Sequence, residues 1–86
     1  MFVQVNIVAI SDTTVAYMRA HIPDTKQLKD TSFVYVQRTM PIPRVNEHIV
    51  LEKNMVFRVL DIMYILQNPN PNNSVSEIRV LVEAES

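Results

Sequence analysis

None of the 86 residues is glycine. Glycine enters the left-handed backbone region at no steric cost, and at ~7% average usage about six would be expected in a chain of this length. Every tight turn that needs a positive φ must therefore fall to Asn or Asp, whose short polar side chains tolerate it next best. The same absence restricts function. Phosphate-cradling loops and dinucleotide fingerprints need glycine where the backbone approaches a pyrophosphate, so the standard nucleotide-binding motifs are excluded.

A chain this short has room for one hydrophobic core, which predicts a single domain over residues 1–86. With 48% hydrophobic and 20% charged residues it carries enough apolar surface to offset the entropy of ordering. Such a domain buries only about 60% of its unfolded surface, and self-association is the expected supplement because cysteine is absent. The lack of cysteine also removes the main ligand of structural zinc sites and fits a reducing, cytoplasmic compartment. The apolar run from Phe2 to Ile10 holds Gln4 and Asn6 and follows no basic residue, so it reads as a strand and not as a leader. Arg58 and Asp61 interrupt the longest apolar stretch, which excludes a membrane-spanning helix.

Alternation with period two dominates the chain. Val3, Val5, Ile7 and Ala9 mark the buried face of a first strand. Ser11–Thr14 are turn formers, and the apolar segment from Val15 to Ile22 reads as the second arm of a hairpin, with a short helix capped by Ser11 or Asp12 as the competing reading. Beyond Pro23, the polar stretch from Asp24 to Ser32 reads as a loop or one helical turn. Phe33, Val34, Tyr35 and Val36 open a strand that Pro41 and Pro43 must bend or confine to an edge. Ile49 and Leu51 alternate with polar neighbours, and Lys53–Asn54 form a turn into a strand over Val56–Leu66 that is apolar in both alternation classes. Gln67–Ser74, rich in Asn and Pro, reads as an exposed loop, and Ile78, Val80, Val82 and Ala84 give a last alternating strand. The fold class is mainly β, expected as a small antiparallel barrel of five to six strands with room for one short helix or helical turn.

The run Pro43, Arg44, Val45, Asn46, Glu47, His48, Ile49, Val50, Leu51, followed by Phe57, Arg58, Val59, Leu60, Asp61 and Ile62, resembles a pattern of SH3-like small β-barrels. In that pattern Pro-x-Val-Gly-Glu/Asp opens a hairpin and Tyr-x-Val-x-x-Val closes it. Asn46 stands at the usual glycine and Phe57 at the usual tyrosine. The resemblance covers about a quarter of the chain and implies architecture only, because this barrel serves unrelated functions.

No catalytic, cofactor or metal constellation is legible. His21 and His48 lack a second strong ligand at metal-site spacing, although Asp24, Glu47 and Glu52 could in principle converge on them. No nucleophile context surrounds Ser11, Ser32, Ser74 or Ser76, so the chain is not expected to be an enzyme. The formal charge of −1 removes the broad attraction on which non-specific nucleic-acid binders rely. What remains first is a protein–protein interaction module, an oligomeric adaptor or accessory subunit of the kind found in phage and mobile-element proteins and larger assemblies. It would bind a copy of itself or another protein through Met63, Tyr64 and Ile65, the half of the two-sided strand that a small barrel leaves outside. The alternative is a single-stranded nucleic-acid-binding barrel that uses Arg38, Arg44, Arg58 and Tyr35 for phosphate pairing and base stacking.

Overall fold

The computed structural model describes residues 2–66 and 75–85. Val3–Ala9 form strand β1, with Val5, Ile7 and Ala9 buried as their alternation requires. The next element, Asp12–His21, is an α-helix (α1) and not the strand expected from its β-branched and aromatic residues. Its two ends explain the outcome. Ser11 sits in extended backbone and accepts the Thr14 N–H at 3.2 Å, while Asp12 in the first turn and Arg19 and His21 in the last complement the helix dipole. The Ile22 N–H closes the last turn on the Met18 carbonyl at 2.9 Å, immediately before Pro23. Met18 and Ile22, four residues apart, are fully buried on the face turned to the sheet.

After Pro23 a two-residue strand, β2 (Lys26–Gln27), replaces the loop or helical turn expected there. It forms a hairpin with β3 (Val34–Met40) through a turn in which Asp30 takes φ 61°. Pro41 and Pro43 end β3 and bar a direct hairpin, so β4 (His48–Val50) pairs forward with β5 (Val56–Leu66) across a 3-10 turn at Glu52–Asn54. The final strand, β6 (Val75–Ala84), runs antiparallel to β5.

These six strands make one sheet in the order β2-β3-β1-β6-β5-β4. Mainly β is the fold class, but the expected antiparallel barrel is corrected in two respects. The central pair is parallel, with Asn6, Ile7, Val8 and Ala9 beside Arg79, Val80, Leu81 and Val82. The sheet is also open, ending in β2 on one side and β4 on the other. It curls far enough that Arg38 of β3 meets Glu52 at 3.2 Å, yet side chains and not a backbone ladder span this seam. Three-residue β4 and the prolines after β3 offer too little regular backbone to close it. The helix covers one face, and between them Ile7, Met18, Ile22, Val36, Phe57, Val59, Val80 and Val82 form the fully buried centre.

The glycine-free turns behave as the composition requires. The described residues with positive φ are Asp30, Asn46 and Asn54, at 61°, 73° and 64°. Asn46 carries the tightest duty. Its N–H bonds the Val59 carbonyl at 2.8 Å, while the Val59 N–H bonds the Glu47 carbonyl at 2.9 Å, which fixes the approach to β4 against β5. Because a Cβ without a helpful polar group costs about 1–2 kcal/mol in this region, Asn46→Ala should lose about that much stability in urea unfolding. Asn46→Gly should be close to neutral; equal losses for the two variants would assign the role of Asn46 to its side chain and not to its φ.

Candidate interaction surface

The two-sided apolarity of β5 has a geometric origin. Val59 pairs with Val82, and the next pair is Asp61 with Leu81, so Leu60 is an extra residue in the ladder. A bulge of this kind reverses which alternation class faces the core. Phe57 and Val59 face α1 before it, and Ile62 takes over that face after it, packing beside Ile78 at the margin of the core. Tyr64 continues this row opposite Ile78, while Met63 and Ile65 lie on the other face opposite Arg79 and Glu77.

Beyond the bulge, β5 leaves its cover. β4 pairs only with Val56, Phe57 and Arg58, and β1 reaches β6 only from Arg79 to Val82. From Tyr64 to Leu66 the ladder is therefore a two-stranded ribbon among the described residues, projecting from a molecule 42 Å in its longest extent. The helix packs at the opposite end of β6, where the Ala84 N–H bonds Thr14 Oγ1 at 3.2 Å. Met63, Tyr64 and Leu66 are consequently 42%, 53% and 52% exposed, with Ile62 and Ile65 half-buried. Of the three contact residues expected from sequence, Tyr64 and Ile65 lie on this ribbon and Met63 lies at its base, opposite Arg79. Leu66 was missed, although the change of apolar phase at Leu60 was a usable signal for the whole segment.

The residues of the nucleic-acid alternative do not gather. Arg38 lies at the seam, paired with Asp24 at 2.8 Å and with Glu52. Arg58 sits across the β5–β6 ladder from Glu83, to which it is ion-paired, with Glu85 at 3.5 Å. Arg44 is exposed in the loop before β4, and Tyr35 is half-buried on the helix-free face beside Val8. The guanidinium groups of Arg38 and Arg58 are thus already occupied by carboxylates. His48 approaches Glu85 at 3.3 Å, His21 stacks edge-on to Tyr17, and no cluster of three or more metal-ligating side chains occurs among the described residues.

The helix-free face carries a polar group invisible to sequence spacing. Asn6 Nδ2 donates to Glu77 Oε2 at 2.7 Å, and Arg79 Nε donates to the same oxygen at 2.7 Å. The parallel β1–β6 pair alone brings them together, from positions 71 residues apart. Arg79 first, and Asn6 after it, hold the Glu77 carboxyl below its ordinary value of 4.5 against the opposing effect of partial burial. Arg38 similarly lowers Asp24.

Compared with protein families, curated proteins and solved structures, the chain matches none. Among the described residues no helix is long and apolar enough to cross a membrane.

A carboxyl lowered by folding binds its proton more tightly in the unfolded chain. Its stabilisation is present above the ordinary value of 4.5 and is lost as the pH falls through the lower folded value. Stability should therefore decline as the pH drops below 4.5. Glu77→Gln should be less stable at neutral pH and show a shallower acid decline, the two curves converging in acid. Parallel curves in thermal unfolding across this range would remove Glu77 as a source of the acid sensitivity.

Proposed function

We propose that this chain is a non-enzymatic protein–protein interaction module, an oligomeric adaptor or accessory subunit, that docks through the projecting end of β5. The observation that carries the reading is the exposure of Met63, Tyr64 and Leu66 at the end of β5, where, among the described residues, neither helix nor third strand reaches Tyr64 and Leu66. Single exposed apolar side chains are ordinary, but a contiguous row of them on both faces of one ribbon is costly to hydrate and is characteristic of a contact surface. Tyr and Met are also the residue types enriched at such contacts.

The size of the domain favours the same reading. Among the described residues one helix covers one face of the sheet, and it packs at the end of β6 away from the ribbon. Two-stranded ribbons are marginal in water on their own. A partner seated on the ribbon would cover the side chains that the core leaves out.

Light scattering over a concentration series should give a mass at or above twice 9.9 kDa, unchanged by a short mixed-sequence single-stranded oligonucleotide. Tyr64→Glu combined with Ile65→Glu should reduce it to the monomer, whereas Val50→Glu, on exposed but distant β4, should not. A monomer that takes up the mass of the oligonucleotide would replace this reading with the nucleic-acid one.

A further inference from the structure

We infer that the hollow between the end of α1 and β2 is an anion site, and that its ligand is a phosphate group held by Arg19 and Lys26. The site is separate from the β5 surface, and neither depends on the other.

The hollow measures about 320 Å³, and its lining includes Arg19, Thr25, Lys26 and Gln27 beside the buried Ile22 and Val34. Two cations thus share one concave surface of a chain whose formal charge is −1. Their state differs from that of other arginines in the molecule. Arg38, Arg58 and Arg79 each pair with a carboxylate, whereas neither Arg19 nor Lys26 forms an ion pair among the described residues. The carboxylate that follows α1, Asp24, is bonded by Arg38 at 2.8 Å and is therefore already compensated. Lys26 adds to it only a weaker attraction through space.

The local structure holds donors ready. Arg19 Nη2 donates to Gln27 Oε1 at 3.0 Å, and the Gln27 side-chain amide in turn donates to the Thr31 carbonyl. A neutral amide oxygen orients the guanidinium without neutralising it and leaves its other N–H groups for a ligand. One backbone donor is open as well. The Leu28 N–H bonds the Phe33 carbonyl at 2.9 Å, and Lys26 stands opposite Tyr35. By antiparallel alternation the Gln27 N–H then points away from β3, at the edge of the sheet where no further strand lies among the described residues. The carbonyls that end α1 would repel an anion. Thr25 Oγ1 offsets this by donating to those of Met18 and Ile22, at 3.2 and 2.7 Å. Two positive charges and an open N–H suit a doubly charged tetrahedral oxyanion, where a single carboxylate would be satisfied by one arginine.

The test is a titration with inorganic phosphate at constant ionic strength, followed by heteronuclear NMR. Saturable shifts should appear at the Arg19 Nε–H and the Gln27 amide. Arg19→Gln and Lys26→Gln should each weaken binding at least about tenfold, the rest of the amide spectrum showing that the fold is kept. Arg44→Gln removes an exposed arginine outside the hollow and should leave binding unchanged. A phosphoserine peptide titrated in parallel separates two sources of the group: tighter binding than inorganic phosphate assigns it to a phosphorylated partner, equal or weaker binding to the free anion. Shifts that rise without saturating, that appear equally at Arg44, or that survive both substitutions in the hollow overturn the site. Acetate that binds as tightly as phosphate overturns the assignment to phosphate.

Discussion

The parallel contact between β1 and β6 is the constraint on which the molecule depends. Residues before Pro41 form one unit of the sheet, β2-β3-β1 with α1, and residues after Pro43 form the other, β6-β5-β4. Four register pairs, from Asn6–Arg79 to Ala9–Val82, join them in the backbone. Neither unit has a complete core. Ile7 and Ala9 supply one side and Val80 and Val82 the other, and α1 seals them by packing Tyr17 near Phe57 and accepting the Ala84 N–H on Thr14. The helix therefore belongs by sequence to the first unit and by contact to both. A chain whose halves meet through such distant residues closes a long loop before that contact rewards it, and slow folding relative to local-contact domains follows.

The same contact gives the outer ion pairs their setting. Arg38 at the seam joins Asp24 of the first unit to Glu52 of the second, where a closed barrel would have placed a ladder. Exposed pairs of this kind contribute little individually. Their effect here is to hold the curl of an open sheet, while burial on the helix side supplies the stability. Glu77 differs because it is partly buried and shared between Asn6 and Arg79, so it reports directly on whether the two central strands are together.

Much of this was legible in the sequence where one physical rule acts alone. Period-two alternation located β1 and β6, because one face of each is against the core, and runs of β-prone and apolar residues located β3 and β5. The absence of glycine located the left-handed turns at Asp and Asn, and Asn46 stood where the hairpin needed one. Legibility failed where rules competed. In Asp12–His21 the β-branched Val15 and aromatic Tyr17 suggested a strand from Val15 to Ile22 after a turn at Ser11–Thr14, yet cap and burial prevailed: Thr14 is buried and bonds Ser11 and Ala84 through its hydroxyl. Nothing local signals that the last strand returns to lie parallel to the first, so the open sheet and the Asn6–Glu77–Arg79 group could not be read. The Asn- and Pro-rich segment read as a loop, Gln67–Ser74, lies outside the described residues.

The strand that is apolar in both phases is where the core ends and the exposed apolar surface begins. Had β5 kept one register, Phe57, Val59, Asp61, Met63 and Ile65 would share the helix face, placing a carboxylate beside the buried Val80. The extra residue at Leu60 avoids this by turning Asp61 outward and Ile62 inward. The bulge thus completes the core with Ile62 and sends the rest of the strand beyond it, so apolarity continues where the core no longer requires it. The four apolar residues that follow, Met63 to Leu66, lie beyond the core residues, which is why the docking reading places its surface there and not on the first half of the strand.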